Sequence, residues 1–270
     1  MNITFIGGGN MASAIIGGLI RKRWPRRSLQ VVEIAPSARA QLARAHKVKV
    51  RAALDAGAAG SDCIVLAVKP QQLREAARAL GPRLTRQLVI TIAAGVRIED
   101  LSRWLGGYPR IVRVMPNTPA LAAAGISGLY AGRAVNSTGR AAAQRILGAV
   151  GATLWVERED DLDAVTAVSG SGPAYVYYFI EALERAAREL GLAADAARRL
   201  ALETFSGALT LAAQSGEPPA TLRERVTSKG GTTERALALM EAERVQDAIV
   251  RAVKAAAARS RELGDELGKD

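Results

Sequence analysis

The feature that most constrains this chain lies at its start, where an apolar stretch runs into a glycine-rich turn and then into an apolar helical pattern. Asn2, Ile3, Thr4, Phe5 and Ile6 read as a short buried strand, and Gly7, Gly8, Gly9, Asn10, Met11 and Ala12 follow as G-x-G-x-x-A. Ala14, Ile15, Ile16, Leu19 and Ile20 then recur with helical spacing. Gly7 permits a tight strand-to-helix turn, Gly9 lets the backbone approach a pyrophosphate, and Ala12 allows the helix to pack closely on the strand. The N-terminus of that helix, at Asn10 and Met11, offers unpaired N–H groups to phosphates. Glycine-rich turns are common, so the strand before and the helix after are what favour dinucleotide binding over a plain βα turn.

A second sign expected of such a site is an acid at the end of the next strand. Leu29–Glu33 reads as that strand, ending in Glu33. A carboxylate there accepts a hydrogen bond from a ribose 2′-hydroxyl and repels a 2′-phosphate; the plainer alternative is a solvated strand end. Arg39 is placed to reach a 2′-phosphate from the following helix, which leaves the choice between NADH and NADPH open.

Composition narrows the remaining classes. A chain of 270 residues, 49% of them apolar, can bury a large core and predicts two globular domains. Gly, Arg or Asp interrupts every apolar run before it reaches membrane-spanning length, so no membrane partner is expected. Strand-forming residues begin directly after Met1, which leaves no room for a charged leader and predicts a cytoplasmic protein. The single cysteine, Cys63, sits in the apolar run Cys63–Leu66 and reads as core filler rather than nucleophile. With His46 the only histidine, no metal site is expected, and hydroxyl–histidine catalysis has no support. The net charge of +11 comes from arginines scattered among Glu and Asp, with aromatics at 4%, so it reads as solvated helix faces rather than a nucleic-acid surface. Such a positive field favours anionic small-molecule ligands.

The first half alternates strand and helix patterns. Helices are predicted from Ser37 to Ala45 and from Pro70 through Leu80, and strands at Lys47–Val50, Ser61–Val68, Gln87–Ala93 and Arg110–Met115. This alternation predicts a doubly wound parallel sheet of Rossmann type over 1–159, with ligands at the carboxyl ends of the strands. From 160 to 270 helical patterns take over: Pro173–Leu190, Ala194–Gln214, Ala220–Val226, Glu234–Met240 and Arg244–Leu267. Pro173–Leu183 is apolar nearly all round and needs burial on every side, either against a second subunit in a symmetric dimer or within one monomer.

Three segments combine small residues with polar ones. Met115, Pro116, Asn117, Thr118, Pro119 and Ala120 follow a sheet strand directly, with Asn117 and Thr118 placed where a nicotinamide or substrate would lie. Ser169–Tyr175 opens the apolar helix with Pro173 in its first turn. Thr227, Ser228, Lys229, Gly230, Gly231, Thr232, Thr233 and Glu234 open a later helix, where hydroxyls and glycine N–H groups make a carboxylate cradle; ordinary helix capping is the alternative.

These segments resemble the pyrroline-5-carboxylate reductase family. The matching strings are Gly7–Ala12, Ala67-Val68-Lys69-Pro70, Ala93-Ala94-Gly95-Val96, Met115–Ala120, Ser169–Tyr175 and Gly230–Thr233, in the family's order and over nearly the whole chain. The resemblance implies a Rossmann domain followed by an all-helical dimerisation and substrate domain, assembled as a homodimer and commonly further into a decamer. It implies reduction of 1-pyrroline-5-carboxylate to L-proline by hydride from NADPH or NADH, the last step of proline biosynthesis. It implies that Thr233 hydrogen-bonds the ring nitrogen. Ser228, Gly230, Gly231 and Thr232 would then hold the carboxylate across the dimer interface, and Asn117 and Pro116 would border the nicotinamide. Gly7, Gly9, Asn10, Met11, Glu33, Ala67, Val68, Lys69, Pro70, Ala94 and Gly95 complete the implied cofactor contacts. Two residues depart from the pattern. Lys229 stands where members commonly have proline, and either adds a cation near the substrate carboxylate or alters the loop. Glu33 stands where NADPH-preferring members often have a small polar residue.

Two other readings compete. A β-hydroxyacid dehydrogenase shares the layout but needs a catalytic lysine on its first long C-terminal helix, and no lysine occurs between Glu159 and Ser228. A non-catalytic nucleotide-binding protein would have no need of the intact Ser169–Tyr175 and Gly230–Thr233 strings.

Overall fold

A computed structural model describes residues 1–269. In chain order the first elements are β1 (Ile3–Ile6), α1 (Asn10–Arg21), β2 (Leu29–Val32), α2 (Pro36–His46), β3 (Lys49–Arg51), α3 (Ala56–Ala59), β4 (Cys63–Leu66) and α4 (Pro70–Leu80). There follow β5 (Leu88–Thr91), α5 (Ile98–Trp104), β6 (Ile111–Met115), β7 (Gly125–Ala131), α6 (Ser137–Leu147), β8 (Gly151–Trp155) and α7 (Asp161–Val165). The helical remainder is α8 (Gly172–Glu189), α9 (Ala194–Ser215), α10 (Pro219–Arg225), α11 (Thr232–Ala242) and α12 (Val245–Leu267).

The eight strands form one sheet in the order β3-β2-β1-β4-β5-β6-β7-β8. The first six strands are parallel, β7 runs antiparallel to β6, and β8 runs parallel to β7. The apolar runs have their cause in this topology, because a strand covered on both faces has no side that water can reach. Alternate residues of β4 show it. Cys63 and Val65 join the core beneath α1 and α6, whereas Ile64 and Leu66 join a second core beneath α4 and α5. Helix α1 turns Ile15, Ile16 and Leu19 into the first core, and α4 turns Leu73, Ala77 and Leu80 into the second. Cys63 is fully buried, and that burial pushes its thiol pKa up, as expected of core filler.

The sequence patterns located β1–β6 to within a residue or two at most ends, but not α5, β7, α6 or β8. The fold class stands, with the two reversed strands as an extension at one edge.

Two compact units divide the chain: Met1–Ser171 together with the segment from Ala256 onward, and Gly172–Ala255. This differs from the division at 159/160 drawn from the sequence. Helix α7 and the turn after it stay in the first unit because Leu162 and Ala167 are buried there, and Leu162 and Val165 crowd the face of Gly128. The second unit has no core of comparable kind. No residue of α8, α10 or α11 is buried, and Tyr177 and Tyr178 are 58% and 72% exposed. Burial of the apolar helix within one monomer is therefore not what the chain shows; its aromatic face is open.

Candidate active site

The glycine turn is fixed by its neighbours. Gly7 has φ +95°, its N–H donates to Val32 O at 2.9 Å, and a Cβ there would lie 2.7 Å from Ala67 O. The turn after β1 and the turn after β4 thus touch backbone to backbone, which only glycine permits. Gly9 sits at the N-cap of α1 without a side-chain cap, and a Cβ on it would project into open space. The first N–H groups of α1, from Asn10 and Met11, precede the first intrahelical bond, which Ser13 N–H donates to Gly9 O. This is a helix terminus of the kind that can take an anion, with a clear approach at Gly9.

Glu33 follows β2 directly and is held from both sides. Its Oε2 accepts from Gly8 N–H at 2.9 Å, and its Oε1 accepts from Ala35 N–H at 2.9 Å. Arg39 donates from Nη1 to the carbonyl oxygens of Glu33 and Ile34, at 3.0 and 2.7 Å. Its guanidinium thus caps the end of β2, an engagement that the sequence did not predict. Gly7, Gly9, Glu33, Ala67, Val68 and Lys69 all line one cleft of about 570 Å³. Ile34, Ala52, Ala53, Leu54, Gln72 and Ala76 line it too, and none of these was singled out from the sequence. The available signal was Ile34, an apolar residue directly after the strand-end Glu33. The residues fit a dinucleotide: an uncapped helix terminus for the diphosphate, an oriented carboxylate for a ribose and an apolar wall for a base. Pro70 stands at the first position of α4, where no N–H is needed.

The other implied cofactor residues stand apart from this cleft. The turn Ala93–Val96 follows β5 at the same edge of the sheet, and Gly95 has φ +78°. What presses on Gly95 is the end of α12: a Cβ there would be 2.9 Å from Leu267 Cδ1. Pro116 and Asn117 are buried, and Asn117 Oδ1 accepts from Ile126 N–H at 2.9 Å. That oxygen therefore pins the start of β7, a structural role beside the ligand-bordering one expected of Asn117.

Ser169–Tyr175 is not a loop before a helix. Thr166–Gly170 forms a π-helical turn between α7 and α8, closed by Ser171 N–H donating to Thr166 O at 2.8 Å. Such single wide turns are rare and are found frequently at functional sites. A Cβ on Gly170 would lie 2.4 Å from Met115 Cε, so this glycine admits the side chain that ends β6.

In the second unit, Gly231 caps α11, and Gly230 before it has φ +74°. Gly230 N–H donates to Glu234 Oε2 at 2.6 Å, and Gly231 N–H donates to Ser228 O at 3.0 Å. Both glycine N–H groups expected to cradle a carboxylate are therefore already paired. The first i→i−4 bond of α11 is donated by Arg235 to Gly231 O, so the N–H groups of Thr232 and Thr233 precede it. Ser228 and Lys229 are exposed and Thr233 is half-buried.

His46 has a structural partner: its Nε2 lies 2.7 Å from Ser13 Oγ, which ties α2 to the first turns of α1. Burial, then the charge of Arg21, holds its pKa below the ordinary value. Among the described residues no cluster of His, Cys, Asp or Glu could hold a metal ion.

Known proteins carry the same arrangement. A family model described as pyrroline-5-carboxylate reductase dimerisation matches residues 159–263, and one described as NADP oxidoreductase, coenzyme F420-dependent, matches residues 2–95. The pyrroline-5-carboxylate reductase of Pseudomonas aeruginosa is 42% identical over 268 residues, covering 99% of this chain and 98% of that one. The solved structure of a pyrroline-5-carboxylate reductase from Coxiella burnetii superposes with TM-score 0.91 at 39% identity, covering 97% of this chain and 98% of its own. The Plasmodium falciparum pyrroline carboxylate reductase, solved with NADP bound, gives 0.86 at 30% identity with 98% of each chain covered. At these identities over the full length, the chain belongs to the pyrroline-5-carboxylate reductase family.

Proposed function

We propose that this chain reduces 1-pyrroline-5-carboxylate to L-proline with NADH or NADPH. The observation that carries the reading is the presence, in a chain matched end to end by such reductases, of both a dinucleotide cleft at Gly7–Gly9 and a hydroxyl-rich turn at the start of α11.

When bound, the reduced nicotinamide supplies the hydride. The chain's own residues bind and orient. Asn10 and Met11 N–H groups at the uncapped start of α1 hold the diphosphate, and Glu33, oriented by Gly8 and Ala35, accepts from a ribose 2′-hydroxyl. In this position Glu33 favours NADH, since a 2′-phosphate would meet its carboxylate. The N–H groups of Thr232 and Thr233, with the Ser228 hydroxyl, hold the substrate carboxylate at the N-terminus of α11. Gly230 and Gly231 shape the turn: a Cβ on Gly231 would lie 2.4 Å from Ser228 Oγ. A cyclic imine takes hydride at carbon most readily when its nitrogen is protonated. Thr233 Oγ1 accepts a hydrogen bond from that N–H and keeps the iminium oriented, so the reaction needs no histidine or cysteine acid. Pro116 and Asn117 wall the nicotinamide side. On this reading the chain works in the cytoplasm as a homodimer able to assemble further, up to a decamer, without nucleic acid. Its family's dimerisation model covers the helices whose aromatic face is open, and no described helix is long and apolar enough to cross a membrane.

The test is oxidation of NADH and NADPH, in parallel, by purified protein supplied with pyrroline-5-carboxylate. Substrate-dependent oxidation with proline as product is the expected result, faster with NADH. A folded protein that binds the nucleotides but turns over neither would overturn the imine reading.

A further inference from the structure

The end of α12 packs against the Ala93–Val96 turn through contacts that the reaction, as described above, does not use. A Cβ on Gly95 would lie 2.9 Å from Leu267 Cδ1 and 3.5 Å from Leu263 Cβ. Across from it stands another glycine, Gly264, whose own Cβ would come 3.4 Å from Gly95 O. The helix backbone therefore lies close against the turn. Ser260 Oγ–H donates to Asp163 Oδ1 at 2.6 Å, and the two residues are 5% and 8% exposed. Arg97, which follows the turn, pairs with Asp265 at 2.7 Å. The next N–H, from Ile98, donates to Glu159 Oε1 at 2.7 Å, and the same oxygen takes Arg113 Nη1 at 2.9 Å. The turn thus packs directly on α12, the two residues after it are tied to Asp265 and Glu159, and α12 is itself tied to α7 through Ser260 and Asp163.

A buried hydroxyl–carboxylate pair is a costly way to gain stability alone, because burial of the carboxylate opposes it. What such a pair supplies is register: it has one geometry, and an apolar contact has many. The strand order says what the register serves. In a sheet ordered β2-β1-β4-β5, Glu33 after β2 marks the adenosine side, and the turn after β5 lies on the other side of the glycine turn, towards the nicotinamide.

We infer that the last turns of α12, from Ser260 to Leu267, are a strut that sets the Ala93–Val96 turn for the nicotinamide half of the dinucleotide. Ser260, Asp163 and Leu267 are then positioning residues that touch no ligand themselves. This rests on the nucleotide-binding part of the proposed function and not on the identity of the imine.

The test compares two ligands on the full-length protein by calorimetry: NADH, and ADP-ribose, which lacks the nicotinamide. Leu267→Ala, alone and with Ser260→Ala, is expected to weaken NADH about tenfold while changing ADP-ribose less than about twofold. Ser260→Ala alone, which removes one hydrogen bond and opens little space, shows the same pattern at smaller size. Equal weakening of both ligands would mean a merely structural role and overturns the strut, as does no change in either. Wild-type protein that binds neither ligand removes the nucleotide reading and the strut with it, whereas failed imine turnover with intact nucleotide binding leaves the strut standing.

Discussion

Two glycine turns open two helices in this molecule, and they are built in opposite ways. The turn before α1 is held by groups distant in sequence: Val32 takes the N–H of Gly7, Glu33 takes that of Gly8, and Ala67 O closes the space where a Cβ would stand. The helix it opens carries a buried apolar face. The turn before α11 is held by its own neighbours, Ser228 and Glu234, with open space around Gly230 and no buried residue along the helix. The first turn is finished by its own fold. The second has a local shape but lacks walls, and its unit exposes an apolar face of the kind that a homo-oligomer covers.

The comparison is put under most strain by breaking that association. Tyr177→Asp with Tyr178→Asp places two charges on the open aromatic face. It is expected to weaken self-association by about a thousandfold, read by sedimentation. Imine turnover should vanish while NADH binding stays, because the first turn needs no second chain. Loss of both together would show that the first turn is not self-sufficient. Next in size, Gly7→Ala sets a Cβ against Ala67 O at a φ of +95° and should cost about 3 kcal/mol in a thermal melt. NADH binding should fall with it. Thr233→Val keeps the shape of the second turn and removes a hydroxyl, so kcat should drop about a hundredfold with the NADH Kd unchanged. Wild-type kcat in that variant would dismiss Thr233 from the chemistry. Glu33→Ser should shift the ratio of kcat/KM towards NADPH by about tenfold. An unchanged ratio means that Glu33 serves the glycine turn alone.

The smallest effect concerns His46, whose contact with Ser13 supports the first turn from behind. Burial and Arg21 hold its pKa below the ordinary 6.5, so the unfolded chain takes up the proton first. Its contribution is full above pH 6.5 and declines as pH falls through that value. Denaturant melts of wild type and His46→Gln between pH 7.5 and pH 5 should diverge below about 6.5. Parallel curves would rule His46 out as the titrating group.

The same contrast explains what was legible in the sequence. Gly7, Glu33 and the helix after them obey constraints that each residue type states for itself: a positive φ, a strand-end carboxylate, an apolar stripe. Strands β1, β4 and β5 were legible because burial on both faces leaves nearly unbroken apolar runs, whereas β3, Lys49–Arg51 at the sheet edge, has none and was legible only from its place after α2. Strand β8, Gly151–Trp155, alternates between half-buried and exposed residues at the sheet edge, and β7 begins Gly-Ile-Ser-Gly, so neither presents such a run. The bond from Ile126 N–H to Asn117 was not legible because Ile126 sits in the strand that was missed. The reason for Gly95 lies at the other end of the chain, in Leu267, where no local pattern could show it. At the second turn the residues were legible, but the partners of the two glycine N–H groups were not, since Glu234 reads equally well as a plain helix residue.

The fully buried Cys63 has a practical consequence. Its thiol is closed off inside β4 and held protonated by that burial, so the chain presents no reactive thiolate to peroxide, disulfides or alkylating reagents. Oxidative inactivation of the folded protein would have to begin elsewhere, at methionine or tryptophan. A cysteine introduced at an exposed site such as Lys229 would then be the single position that a maleimide dye labels in the native state, giving a fluorescent reporter on the second turn without first removing the native cysteine.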